Sequence, residues 1–153
     1  MKIKKILKDL SITTISMNNR KIFVDTGAFL ALANRKDQHH LEAQRRFQEL
    51  RAGKFLLVTS NFILDESYTR LQRKAGMGVA IAFGESLQQS RQIKILSIDR
   101  ALEEKAWQIF KKYQEHAFSY TDCTSFALMQ HKKIHQAFAF DKDFKIFGFK
   151  FFE

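Results

Sequence analysis

The chain has 153 residues, 45% of them hydrophobic and sixteen of them Phe, with 26 Lys and Arg against 16 Asp and Glu for a formal net charge of +10. That length and composition give one domain of common size with its own core and exclude a disordered tail, while the single cysteine, Cys123, excludes an intrachain disulfide. The positive balance attracts polyanions and leaves open nucleic acid, a membrane surface or an acidic protein.

From the N-terminus, residues 1–16 read as a basic arm or extension, with Ile3, Ile6, Leu7 and Leu10 at helical spacing. Residues 1 to 21 hold Lys2, Lys4, Lys5, Lys8, Arg20 and Lys21 against Asp9, half of the net charge. The arm either packs on the body or reflects an early start site, and residues 17–153 are taken as the domain. Residues 21–25 are a short buried strand ending at Asp25, followed by an apolar helix over 26–34, with Gly27 allowing close backbone packing beside the acid. Asp37 opens a longer helix through Leu50, with Leu41, Phe47 and Leu50 on its apolar face and Gly53 ending it. FLLVT at 55–59 is a second strand. Ser60 or Asn61 caps the next helix, which carries Phe62, Ile63, Tyr68 and Leu71 and places Glu66 about two turns in. Gly76 and Gly78 break that run, and helix resumes over 79–90.

IKILSI at 93–98 is a third strand, and Asp99 caps a helix that reaches about His116. Thr121 is expected to cap the next helix and to set Asp122 in its first turn, where free backbone donors favour a carboxylate. AFAF at 137–140 is a fourth strand ended by Asp141, and residues 145–151 add an edge strand. Short strands separated by helices predict a three-layer α/β/α fold with a central, mainly parallel sheet. In such sheets ligands bind beyond the carboxyl ends of the strands, which is where Asp25 and Asp141 fall.

Four carboxylates therefore stand where an apolar run stops or a helix turns inward: Asp25, Glu66, Asp122 and Asp141. In a basic protein they point to a metal-binding acidic site inside a positive surface, the combination a nuclease needs. Taken singly, each reads equally well as a helix cap, a turn residue or a solvated acid, and Asp65 competes with Glu66 for the same face. All-oxygen donors suit Mg²⁺ or Mn²⁺, and the lack of a Cys/His cluster argues against zinc. Clustered carboxylates repel one another, and a divalent ion offsets that cost, orients a water and stabilises charge on a phosphate. Arg35, Lys36, Arg70, Arg73, Lys74 and Lys142 lie near the acidic motifs and are candidate phosphate contacts, with ordinary solvent exposure as the alternative.

The strand with DTGAFLAL, the helix TSNFILDESYTRL, the segment TDCTSFALM and the closing FAFDKDF occur in an order that resembles the PIN domain family, especially toxins of the VapC type, from about Lys21 to Phe149. The resemblance implies that Asp25, Glu66, Asp122 and Asp141 form the catalytic, metal-binding set. Thr26 matches a polar residue that follows the first Asp and is a candidate to hydrogen-bond a carboxylate or a substrate phosphate, and Asp143 is a candidate for a further acid. It also implies a divalent-metal-dependent endoribonuclease, the toxin of a toxin–antitoxin pair, with RNA as substrate, a small antitoxin protein as partner and a homodimer as the assembly. A non-catalytic RNA- or protein-binding module and a DNA nuclease are the alternatives. With no apolar run near the roughly 18 residues of a spanning helix, and no compact apolar signal core, the expected location is the cytoplasm, with no membrane association.

Overall fold

A computed structural model of the chain describes residues 20–153, so the basic arm expected at residues 1–16 and the domain start expected at residue 17 lie outside the described residues. Five parallel strands form one sheet: β1 (Lys21–Val24), β2 (Leu56–Ser60), β3 (Ile93–Leu96), β4 (Gln136–Phe138) and β5 (Lys150–Phe151). Their spatial order is β3-β2-β1-β4-β5. The register runs Lys21 to Leu56, Leu57 to Ile93, Val24 to Phe138 and Gln136 to Lys150. Parallel strands need crossovers, and among the described residues seven helices supply them: α1 (Thr26–Ala33), α2 (His40–Ala52), α3 (Asn61–Ala75), α4 (Met77–Gln89), α5 (Arg100–Lys112), α6 (Tyr120–Lys132) and α7 (Asp143–Phe147). Helices α1 to α4 pack with one another, and α5 and α7 each pack on α6, giving the three layers.

Burial on both faces explains why β1 and β2 read as unbroken apolar runs: Ile22, Phe23, Val24, Leu57 and Val58 are all buried. Much of the core is aromatic. Phe126 lies 4.3 Å from Phe147 in a stacked pair and 5.2 Å from Phe144 edge to face, which ties α6 to α7. Each fully buried Phe contributes on the order of 1.5–3 kcal/mol of transfer free energy. The aromatic run near the C-terminus is thus core material, with Phe138 and Phe144 both inaccessible to solvent. No helix among the described residues is long and apolar enough to cross a membrane.

Several boundaries differ from the sequence expectation, each for a local reason. The second helix starts at His40 because Asp37 instead caps a turn, its Oδ1 accepting from the His39 backbone N–H at 2.9 Å. Leu41, expected on the apolar face, is 80% exposed; Ala43 and Leu50 fill that face instead. Gly76 separates α3 from α4 at φ +96°, a conformation few side chains adopt, and α4 begins already at Met77. The third strand stops at Leu96, and the helix after Asp99 ends at Lys112, with a single 3₁₀ turn over Gln114–His116. The fourth strand stops at Phe138 rather than Phe140, and the first part of the segment expected as an edge strand, residues 145–147, belongs to α7, leaving only Lys150 and Phe151 as strand.

Candidate active site

The strand order places a gap at a useful point. The chain leaves β1, builds β2 and β3 on one side, then crosses to lay β4 on the other, so the strand order reverses between β1 and β4, and the crevice beyond their carboxyl ends is the usual ligand position in such sheets. Asp25 follows β1 directly, and its backbone N–H donates to Phe138 O of β4 at 3.1 Å. Its carboxylate also caps α1, with Oδ2 accepting from Gly27 N–H at 3.3 Å. The cap reading of Asp25 is therefore correct, and it is compatible with a role at the gap. Gly27 is not demanded by packing, since a methyl group there would meet only Asp25 Oδ2 at 3.6 Å.

Asp122 arrives from α6, whose N-cap is Ser119 rather than the expected Thr121. Ser119 Oγ accepts from Asp122 N–H, and Asp122 Oδ2 accepts from Ser119 N–H, each at 3.0 Å. This reciprocal box fixes the carboxylate at the third helical position, and its signature, Ser-x-x-Asp before an apolar run, is readable in the sequence. Asp141 comes from the loop after β4 and Asp143 opens α7, with Asp141 Oδ1 accepting from Asp143 N–H at 2.9 Å. One carboxylate oxygen each from Asp122, Asp141 and Asp143 lie within 4.8 Å of one another. Asp143, a secondary candidate from sequence, thus stands inside the cluster.

Glu66 adjoins the group from α3. Its Oε2 accepts the Thr26 hydroxyl at 2.7 Å, and its Oε1 lies 3.5 Å from Arg70. Asp65 is exposed on the other side of the helix, so Glu66 is the residue of the pair that faces α1. Thr26 is buried, and its hydroxyl is committed to Glu66; it supports an acid rather than offering a substrate contact. Arg70 likewise leans on Glu66. Arg35, Lys36, Arg73, Lys74 and Lys142 are exposed.

Electrostatics join the two groups. Burial, and then the charge of Asp122, push the Asp25 carboxyl up to about 7, against the backbone donors at its cap; Glu66 adds a smaller upward push. Asp122 is pushed up to about 6 by burial, opposed by its Ser119 hydrogen bonds and reinforced by Asp141 and Asp143. Asp143 is raised by burial and by Asp141. Acids that repel one another across a buried gap are short of positive charge, and their all-oxygen donor set fits Mg²⁺ or Mn²⁺.

Sequence reasoning missed one support. His39 stacks on Phe140 with ring centroids 4.3 Å apart, and the Arg46 guanidinium covers the same ring at 5.2 Å, which pins the residue just before Asp141. No periodicity signals this sandwich. Cys123, beside Asp122, is buried, and burial pushes its thiol up to about 11, an environment that disfavours the thiolate a nucleophile needs.

With the geometry in place, the comparisons are informative. The PIN domain family model matches residues 22–150, and the chain belongs to the PIN domain family. Within it, the chain groups with the VapC-type endoribonucleases. It is 37% identical over 128 residues, 84% of this chain and 95% of the relative, to the 23S rRNA-specific endonuclease VapC20 of Mycobacterium tuberculosis, in two strains. It is 32% identical over 125 residues, 80% of this chain and 78% of the relative, to the VapC ribonuclease of Archaeoglobus fulgidus. The crystal structure of Mycobacterium tuberculosis VapC20, described as a sarcin-ricin loop cleaving toxin, superposes with a TM-score of 0.76 at 38% identity, covering 84% of this chain and 95% of that one.

Proposed function

We propose that this protein is a divalent-metal-dependent endoribonuclease acting as the toxin of a toxin–antitoxin pair. The observation that carries the metal dependence is the convergence of Asp122, Asp141 and Asp143 within 4.8 Å, near the buried Asp25. Asp25, Asp122, Asp141 and Asp143 would hold Mg²⁺ or Mn²⁺, which when bound supplies charge to offset the carboxylates and the phosphate and acidifies a water. Glu66, held by Thr26 and Arg70, orients the attacking water at the rim. Exposed Arg35, Lys36, Arg73, Lys74 and Lys142 draw the RNA backbone in without reading its sequence. Hydrolysis of this kind leaves a 5′-phosphate and a 3′-hydroxyl.

The partners follow from further surfaces. An apolar groove of about 460 Å³ between α1, α2 and α4, lined by Phe29, Leu32, Phe47, Val79, Phe83 and Leu87, suits a small antitoxin segment. The exposed rings of Trp107 and Phe110 on α5, continued by Tyr120 and Phe62, suit a homodimer contact. The cytoplasm, where RNA targets reside, is the place of action. The substrate class is tested by side-by-side cleavage of matched RNA and DNA in Mg²⁺ or Mn²⁺: RNA is cut to 5′-phosphate ends, whereas equal or exclusive cutting of DNA rejects the reading. Growth rescue by a co-expressed neighbouring small protein tests the antitoxin, and its absence counts against the toxin assignment.

A further inference from the structure

A concavity of about 760 Å³ lies at the opposite end of the sheet from the acids, lined by Lys21, Lys132, Lys133, His135, Gln136 and Lys150. A smaller adjoining hollow of about 120 Å³ adds Lys94 and shares Lys21 and Lys132. Lys21 and Lys150 open β1 and β5, and His135 immediately precedes β4, so the hollow sits at the amino ends of the strands whose carboxyl ends carry Asp25 and Asp141. The four residues from Lys21 to Asp25 span about 13 Å at strand rise, so the two sites are separate.

What sets these lysines apart from ordinary surface charge is their gathering around one concave surface, since among the described residues Lys145 is the one lysine with a carboxylate at ion-pair distance. Complementing the carboxyl end of α6 accounts for Lys132 and Lys133, but not for Lys21, Lys94 and Lys150, which lie on three different strands. In addition, the basic segment at residues 1–20 joins the fold at Lys21, on the wall of the hollow.

We propose that this lysine-lined hollow is a second contact for the RNA phosphate backbone, remote from the acidic cluster. The inference rests on the ribonuclease reading above. Unpaired ammonium groups around a concave surface match the spaced negative charges of a nucleic-acid strand, and each phosphate neutralised releases counterions. An anionic membrane fits less well, because surface-binding elements insert apolar side chains and the larger hollow presents none. The contact carries no base specificity; it holds a long RNA while another part of the same strand enters the acidic gap.

The test compares the otherwise unaltered full chain with Lys132→Gln/Lys133→Asn/Lys150→Gln. Asn suits position 133, whose φ is +54°, and melting curves of both proteins establish that the variant folds. With a long unstructured RNA, in an Asp25→Asn background without divalent ions, the variant is expected to bind about tenfold more weakly, and its log Kd to depend less steeply on log salt, by about one unit per lysine lost. With Asp25 intact, the KM for long RNA rises, kcat is retained, and short oligonucleotides show no KM change. An unchanged Kd and salt slope in a folded variant overturn the proposal, as does loss of binding to phosphatidylglycerol vesicles with RNA binding intact. If the parent protein cleaves RNA but the variant binds it equally well, the second contact alone fails. If the parent neither cleaves nor binds RNA, the ribonuclease reading fails with it.

Discussion

At the scale of single residues, the acids differ in how they are held, and that difference makes them separable. Glu66 and Asp65 are neighbours on α3, yet only Glu66 is engaged by Thr26 and Arg70. Glu66→Gln is expected to lower RNA cleavage by 10²-fold or more, on the order of a displaced catalytic group, while Asp65→Asn stays near wild type. Initial rates on one RNA decide this, and the reverse order would move the site to the other face of the helix. Asp25 offers a second test through stability. Its folded pKa of about 7, like that of about 6 for Asp122, lies above the model-peptide value of 3.8. An acid with a raised folded pKa holds its proton more tightly in the folded state. Its favourable contribution is complete below the unfolded value and is lost as pH rises through the folded one. In metal-free buffer, wild type should lose stability relative to Asp25→Asn between about pH 4 and pH 7, by up to roughly 4 kcal/mol for that group alone. Saturating Mg²⁺ should restore wild type selectively at higher pH. Parallel melting-temperature profiles for the two proteins would contradict the buried, charge-starved environment assigned to Asp25.

At the scale of elements, the strands were readable because burial on both faces leaves apolar runs, and the helices because Ser60, Asp99 and Gly53 mark their ends. The misread segments share a physical cause. Residues 137–151 interleave Phe with charged residues, so periodicity does not distinguish a strand from the single turn of α7, which is fixed by packing of Phe144 and Phe147 on Phe126. Leu41 fails for a different reason: its helix begins three residues later than Asp37 suggested, and the buried face is set by Ala43 and Leu50. Helix α5 also carries a feature that local pattern cannot interpret. Trp107, 49% exposed, stacks on Phe110 at 5.7 Å at the outer surface. If this stripe is the dimer contact, Trp107→Glu should convert a dimer to a monomer in light scattering with little effect on melting temperature. A wild type that is monomeric at micromolar concentration, or a variant that remains dimeric, would remove that role.

At the scale of the whole molecule, the sequence supplied the acids, their order and the α/β architecture, but not their convergence. That follows from the strand order, which opens the gap between β1 and β4, and from crossovers that bring α3 and α6 to its rim. The lysine-lined hollow was invisible for the same reason, since Lys21, Lys132 and Lys150 are far apart in the chain and come together only where β1 and β5 begin and α6 ends. The two ends of one sheet thus gather different side chains: carboxylates beyond the carboxyl ends of the strands, lysines at the amino ends. The central claim is that the acidic end cleaves RNA with a divalent ion. Asp25→Asn and Asp122→Asn are suitable probes because Asn can still accept the cap hydrogen bonds made at both positions. The most direct measurement is RNA cleavage by purified wild type and both variants, each with Mg²⁺ or Mn²⁺ and with chelator. Cleavage by wild type alone, abolished by chelator and absent from both folded variants, is the predicted result; equal cleavage by wild type and variants, or cleavage that survives chelation, would contradict it.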